Sequence, residues 1–107
     1  MKTINEIKRI EIEEVIYDES AEPEYMIQGI LESLNLKYRK ITAGTGTIYF
    51  TIPRDEDSDD YIKIRLANHS KARYLGRDVD LNIEYSDDYT NEDIYDELYQ
   101  GLLLYID

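Results

Sequence analysis

Two alternating segments with a basic stretch between them constrain the fold more than anything else in the chain. The first is Tyr61-Ile62-Lys63-Ile64-Arg65-Leu66 and the second is Val79-Asp80-Leu81-Asn82-Ile83-Glu84-Tyr85. A period of two places Ile62, Ile64 and Leu66 on one face of a strand and Lys63 and Arg65 on the other. In the second segment Val79, Leu81, Ile83 and Tyr85 share a face, with Asp80, Asn82 and Glu84 opposite. Paired as antiparallel neighbours, the two strands set Lys63 and Arg65 among acids on the polar face.

The remaining periodicities fill in an α+β domain. Residues 1–19 carry a capping-box start at Thr3-Ile4-Asn5-Glu6 and a loose helical spacing of Ile4, Ile7, Ile12, Val15 and Ile16. Ile10-Glu11-Ile12-Glu13 alternates as a strand would, so the type of residues 1–20 stays uncertain, with helix the expectation. Pro23 suits a first helical position, and Met26, Ile27, Ile30, Leu31 and Leu34 form one apolar arc of a helix over 23–35, with Asn35 as its stop. Strands are expected over 36–41, where basic residues alternate, and over 47–52, which Pro53 closes. Thr90, with Asp93 three residues on, opens a last helix over 91–106. The order predicts a single domain over 1–107: an antiparallel meander of about four strands with helices packed on one face.

Composition bears on function. There are 24 acids against 12 bases, a net charge of −12. Such a chain is repelled by nucleic acid and by anionic membranes and attracted to basic proteins, so neither direct nucleic-acid binding nor a membrane partner is expected. No apolar run is long enough to span a bilayer and no secretory leader opens the chain, which leads us to expect a cytoplasmic protein.

Catalytic parts are scarce. Cysteine is absent and His69 is the single histidine, so thiol chemistry and a two-histidine metal site are excluded within one chain. Ser70 beside His69 lies in no nucleophile-elbow context. Gly44-Thr45-Gly46 sits between two strands and lacks the third glycine and the helix of a nucleotide loop, so it reads as a hairpin turn. A calcium loop at Asp55–Asp60 lacks the central Gly and terminal Glu of that pattern. We therefore expect no enzyme, no metal and no cofactor.

Two acidic rows stand out. Asp55, Glu56, Asp57, Asp59 and Asp60, followed by Tyr61, crowd five acids into six positions. Asp87, Asp88, Tyr89, Glu92, Asp93, Tyr95 and Asp96 run from a turn into the last helix, with Glu97 beside them. Like charges this close require solvent or a cationic partner. Each row is either an ordinary solvated surface or a partner-binding one, with Tyr61, Tyr89 and Tyr95 as candidate anchors. The basic stretch Lys71, Arg73 and Arg77, with Tyr74, is expected to neutralise the chain's own acids.

One motif points further. Ile64-Arg65-Leu66-Ala67-Asn68-His69-Ser70, then an arginine-containing loop with Tyr74, then an alternating strand, resembles a module of small phage and mobile-element proteins. Its core is similar to a stretch in type II-A anti-CRISPR inhibitors of the Cas9 nuclease, although Ala67 stands where that motif more often has Ser. The strand of Gly44–Ile52 is like those proteins too. Without the resemblance, Asn68, His69 and Ser70 read as residues whose local hydrogen bonds shape the following loop. The resemblance implies an inhibitor that binds a CRISPR effector nuclease in the host cell, and acidic rows suggest how it would block a DNA-binding groove. The alternative is a non-catalytic acidic interaction module, antitoxin-like or a structural partner of another basic protein.

Overall fold

The computed structural model describes residues 1–57, 59–69 and 79–106. Four strands, β1 (Arg39–Thr42), β2 (Ile48–Pro53), β3 (Tyr61–Ala67) and β4 (Leu81–Glu84), form one sheet in chain order. Helices α1 (Arg9–Glu13), α2 (Pro23–Ser33) and α3 (Asn91–Leu103) complete the α+β architecture. The alternation works as expected. Ile48, Phe50 and Ile52 of β2 and Ile62, Ile64 and Leu66 of β3 are buried against Met26, Ile27, Ile30 and Leu31 of α2 and Ile94, Leu98 and Leu102 of α3. The opposite face, carrying Ile41, Thr51 and Lys63, is left partly open.

One pairing departs from expectation. β1–β2 and β2–β3 are antiparallel, but β4 runs parallel to β3, with Arg65 opposite Asn82 and Leu66 opposite Ile83. A period-two pattern reads the same in either direction, so it specified the face of β4 and not its polarity. The connection of about a dozen residues is long enough for a parallel return. Val79 lies before the strand, while the Asp80 N–H donates to the Lys63 carbonyl at 2.9 Å and opens the ladder.

The amino-terminal segment also differs. In place of one helix there is a 3-10 turn over Ile4–Glu6 and the five-residue α1. The turn is held as the capping pattern indicated, with the Thr3 N–H and hydroxyl donating to Glu6 Oε1 at 3.0 and 2.8 Å. Lys2 pairs with Leu36 in a parallel bridge, which ties the amino terminus to the chain just ahead of β1. β-Branched residues and the exposed Ile10 and Ile16 explain why no longer helix forms here.

The end of α2 and the start of α3 follow their sequences, while α3 stops at Leu103, short of the expected 106. Asn35 takes the left-handed φ of 56°, and the Leu36 and Asn35 N–H groups donate to Leu31 and Glu32 carbonyls at 3.0 Å, a Schellman closure of α2. At the start of α3, Thr90 Oγ1 accepts from the Asp93 N–H at 3.2 Å and Asp93 Oδ2 from the Thr90 N–H at 2.9 Å. At Gly101 α3 comes so close to β4 that a Cβ would overlap Leu81.

Candidate partner-binding surface

The parallel polarity of β4 decides where the acidic rows lie. The first row belongs to the hairpin joining β2 to β3, at the amino-terminal end of β3. The second follows the carboxyl end of β4, which lies beside the carboxyl end of β3. A seven-residue strand separates the two ends by about 20 Å. An antiparallel β4 would have brought both rows to the hairpin end. The structure therefore holds two acidic surfaces, one at each end of the sheet.

Their surroundings differ. In the hairpin row, Asp60 is already paired with Arg54 at 3.1 Å, and the same guanidinium lies 5.3 Å from the Tyr105 ring centre. Asp55 is half-buried and its Oδ1 accepts the Asp57 N–H at 3.1 Å. Glu56, Asp57 and Asp59 are exposed, and Tyr61 is 53% exposed. In the second row Asp87, Asp88, Glu92, Asp93 and Asp96 are all exposed, and none of them has a salt bridge among the described residues. Tyr89 is 41% exposed beside them. Glu92, Asp93 and Asp96 place three carboxylates within about 6 Å of helix axis, close to the 3.4 Å charge spacing of one nucleic-acid strand.

Two members of the second row point elsewhere. Tyr95 is not a free anchor. Its ring stacks on Tyr17 at 4.8 Å and on Tyr99 at 6.1 Å, and its hydroxyl donates to the Ile12 carbonyl at 2.7 Å. Burial, then the neighbouring tyrosines, push its pKa up. It fastens α1 to α3. Glu97, expected on the wet face, is half-buried, and Oε2 has no hydrogen-bond partner among the described residues. Desolvation raises its pKa, and Asp93 and Glu84 add to the effect. Helical spacing could not reveal this, because the packing of α3 on β4 encloses a position that lies at the polar boundary.

The motif residues are mostly architectural. Ile64 and Leu66 are core residues. Arg65 is 1% exposed, and its Nη1 donates to Asn82 Oδ1 and Glu84 Oε2, both at 2.9 Å. The expected basic-to-acid pairing across the polar face is thus present in the parallel register. A buried guanidinium left without its carboxylate is costly, so this pair locks the β3–β4 register. Asn68 and His69 are exposed at the end of β3, where His69 Nε2 lies 3.2 Å from Thr47 Oγ1 and Nδ1 lies 3.4 Å from Asn68 Oδ1. Ser70 and the expected self-neutralising stretch of Lys71, Arg73, Tyr74 and Arg77 lie outside the described residues.

The open face of the sheet holds a feature that sequence reasoning did not assign. A groove of about 690 Å³ runs over β1, β2 and β3, walled by Lys37, Arg39 and Lys63 with Tyr38, Ile41, Thr51, Pro53 and Tyr61, and with Asp80 at its β4 side. The Asp80 carboxylate is engaged by the Lys63 backbone N–H at 2.8 Å. The alternating bases of 36–41 were its visible signal.

Among the described residues no group of three or more His, Cys, Asp or Glu side chains could hold a metal ion, and no helix is long and apolar enough to cross a membrane. No protein family, curated protein or solved structure matches the chain.

Proposed function

We propose that the protein is a non-enzymatic, phage-type inhibitor of a host nucleic-acid-binding defence nuclease, a CRISPR effector of the Cas9 class. The observation that carries this reading is the row Asp87, Asp88, Glu92, Asp93 and Asp96, five exposed carboxylates close together in the chain and without a salt bridge among the described residues. A Lys/Arg-lined groove would exchange its counterions for this row as it does for a polynucleotide. Tyr89 offers an apolar body and a hydroxyl at the same edge. The hairpin acids Asp55, Glu56, Asp57, Asp59 and Asp60, with Tyr61, form the lesser of the two surfaces, since Arg54 already neutralises part of their charge. The motif from Ile64 to Ser70 adds the resemblance to Cas9 inhibitors.

The test is a DNA-cleavage assay with a guide-loaded Cas9-class nuclease and increasing amounts of the purified protein. Stoichiometric inhibition, relieved by excess target DNA and lost with Asp88→Ala/Glu92→Ala/Asp96→Ala, is expected. Undiminished cleavage, with no complex on a sizing column at low salt, would rule the proposal out.

A second reading is an acidic interaction module, antitoxin-like or structural, without a nuclease target. The placement of the two rows at opposite ends of the sheet favours it, because a duplex mimic would gain from one continuous ridge. Affinity capture from host lysate separates the two: the second reading requires a basic partner that is not a nucleic-acid-binding protein.

A further inference from the structure

In a chain so rich in acids, an uncommitted base is informative. Lys2, Arg9, Lys40, Arg54 and Arg65 each have a carboxylate partner at 2.8–3.1 Å. Among the described residues no such partner is found for Lys8, Lys37, Arg39 or Lys63; the last three line the groove on the open sheet face, where the Lys63 ammonium lies 5.5 Å from the Tyr49 ring centre. Next to that groove lies a second hollow, lined by Asp55, Glu56 and Asp57. The two share a wall made of Lys37, Pro53 and Tyr61.

The register orders these groups along the sheet. Arg39, Thr51 and Lys63 form one row across β1, β2 and β3. Pro53 and Tyr61 form the next row on the same face, about 7 Å along the strands. The acids of the hairpin begin two residues beyond Pro53, so cations and carboxylates flank an apolar row at similar distances. Tyr61 is 53% exposed at the centre of this patch, and Ile41 is 49% exposed at its β1 edge. A surface with its positive half on one side of an apolar line and its negative half on the other is complementary to itself.

We infer that this face binds a second copy of the chain, as an isologous dimer whose two-fold axis lies along the Pro53–Tyr61 row. That operation turns the two sheet faces toward each other and carries each copy's Arg39 and Lys63 over the other's Asp55, Glu56 and Asp57, while Lys37 stays on the axis row with Pro53 and Tyr61. The two Tyr61 rings meet at the centre, where aromatic side chains contribute most to such contacts. Charge pairs at the rim set the register and make the association salt-sensitive. The α3 rows lie at the far ends of the sheets, outside the contact, so the dimer presents two of them at once.

Sedimentation velocity over a concentration series at low and high salt reads this out. The expected result is a monomer–dimer equilibrium whose dissociation constant rises at least about tenfold on going to high salt. Arg39→Glu/Lys63→Glu and Glu56→Lys/Asp57→Lys each give a monomer with an unchanged circular dichroism spectrum. Mixed together, the two charge-reversed proteins form a one-to-one heterodimer, because one is acidic in both halves of the patch and the other carries a net positive charge in both. A wild-type protein that remains monomeric at the highest concentration would overturn the inference. So would a dimer indifferent to both reversals, or a mixture that fails to associate.

Discussion

The two acidic rows have nearly the same composition and very different standing. The hairpin row sits beside Arg54 and Lys37, has one acid in a salt bridge, and keeps Asp55 half-buried. Among the described residues Asp87, Asp88, Glu92, Asp93 and Asp96 of the α3 row have no salt bridge, and all five are exposed. Counting carboxylates therefore does not locate a cation-seeking surface; what matters is how much of their charge the fold has already answered. In our reading the hairpin row faces a second copy of the chain, while the α3 row faces the nuclease.

The largest perturbation removes the platform under both rows. Phe50 is fully buried between the sheet and the helices. Phe50→Ala should cost about 3–5 kcal/mol of unfolding free energy in a denaturant titration, weakening both surfaces together. A more selective change separates the rows. Asp87→Ala/Asp88→Ala/Glu92→Ala/Asp96→Ala should weaken nuclease binding about a hundredfold at moderate salt, from roughly 0.7 kcal/mol per exposed charge. Glu56→Ala/Asp57→Ala/Asp59→Ala should weaken it less than about tenfold in the same titration. Equal losses from the two variants would erase the distinction between the rows.

The helix that carries the second row can also be moved. Gly101→Val requires Leu81 or α3 to give way and should cost about 1–3 kcal/mol in stability, read in a denaturant titration. The smallest effect concerns Glu97, whose pKa is raised by burial and by Asp93 and Glu84. A raised carboxyl pKa means the folded state binds its proton more tightly than the unfolded chain. Its stabilising share is present at acid pH and is lost as pH climbs above the ordinary glutamate range. Glu97→Gln should raise the melting temperature at neutral pH by up to about 4 °C and make no difference at acid pH. A neutral-pH melting temperature that falls would mean the carboxylate has a stabilising role that its surroundings do not suggest.

Much of the fold was legible because local chemistry and tertiary structure agree. Pro23, Asn35 and the Thr90–Asp93 pair marked helix ends that the backbone respects, and the alternation of 61–66 identified core and open faces correctly. The polarity of β4 was not legible, since Leu81-Asn82-Ile83-Glu84 alternates identically in both directions. That one reversal moved an acidic row to the other end of the molecule. Tyr95 was open to being read as a partner anchor because the groups that hold it, Tyr17 and Ile12, come from residues whose structure the sequence left undecided. The groove on the open face was hidden for a different reason: Lys37 and Arg39 meet Lys63 only through strand pairing across β2.

Whether the exposed carboxylates leading into α3 take the place of phosphates is read from the salt dependence of binding to a guide-loaded Cas9-class nuclease. Affinity should fall linearly on a log–log plot against salt, and Asp88→Ala/Glu92→Ala/Asp96→Ala should flatten the slope while Glu56→Ala/Asp57→Ala leaves it steep. A slope that is already flat for the wild-type protein, or one that the α3 substitutions leave untouched, would show that these carboxylates do not stand in for phosphates.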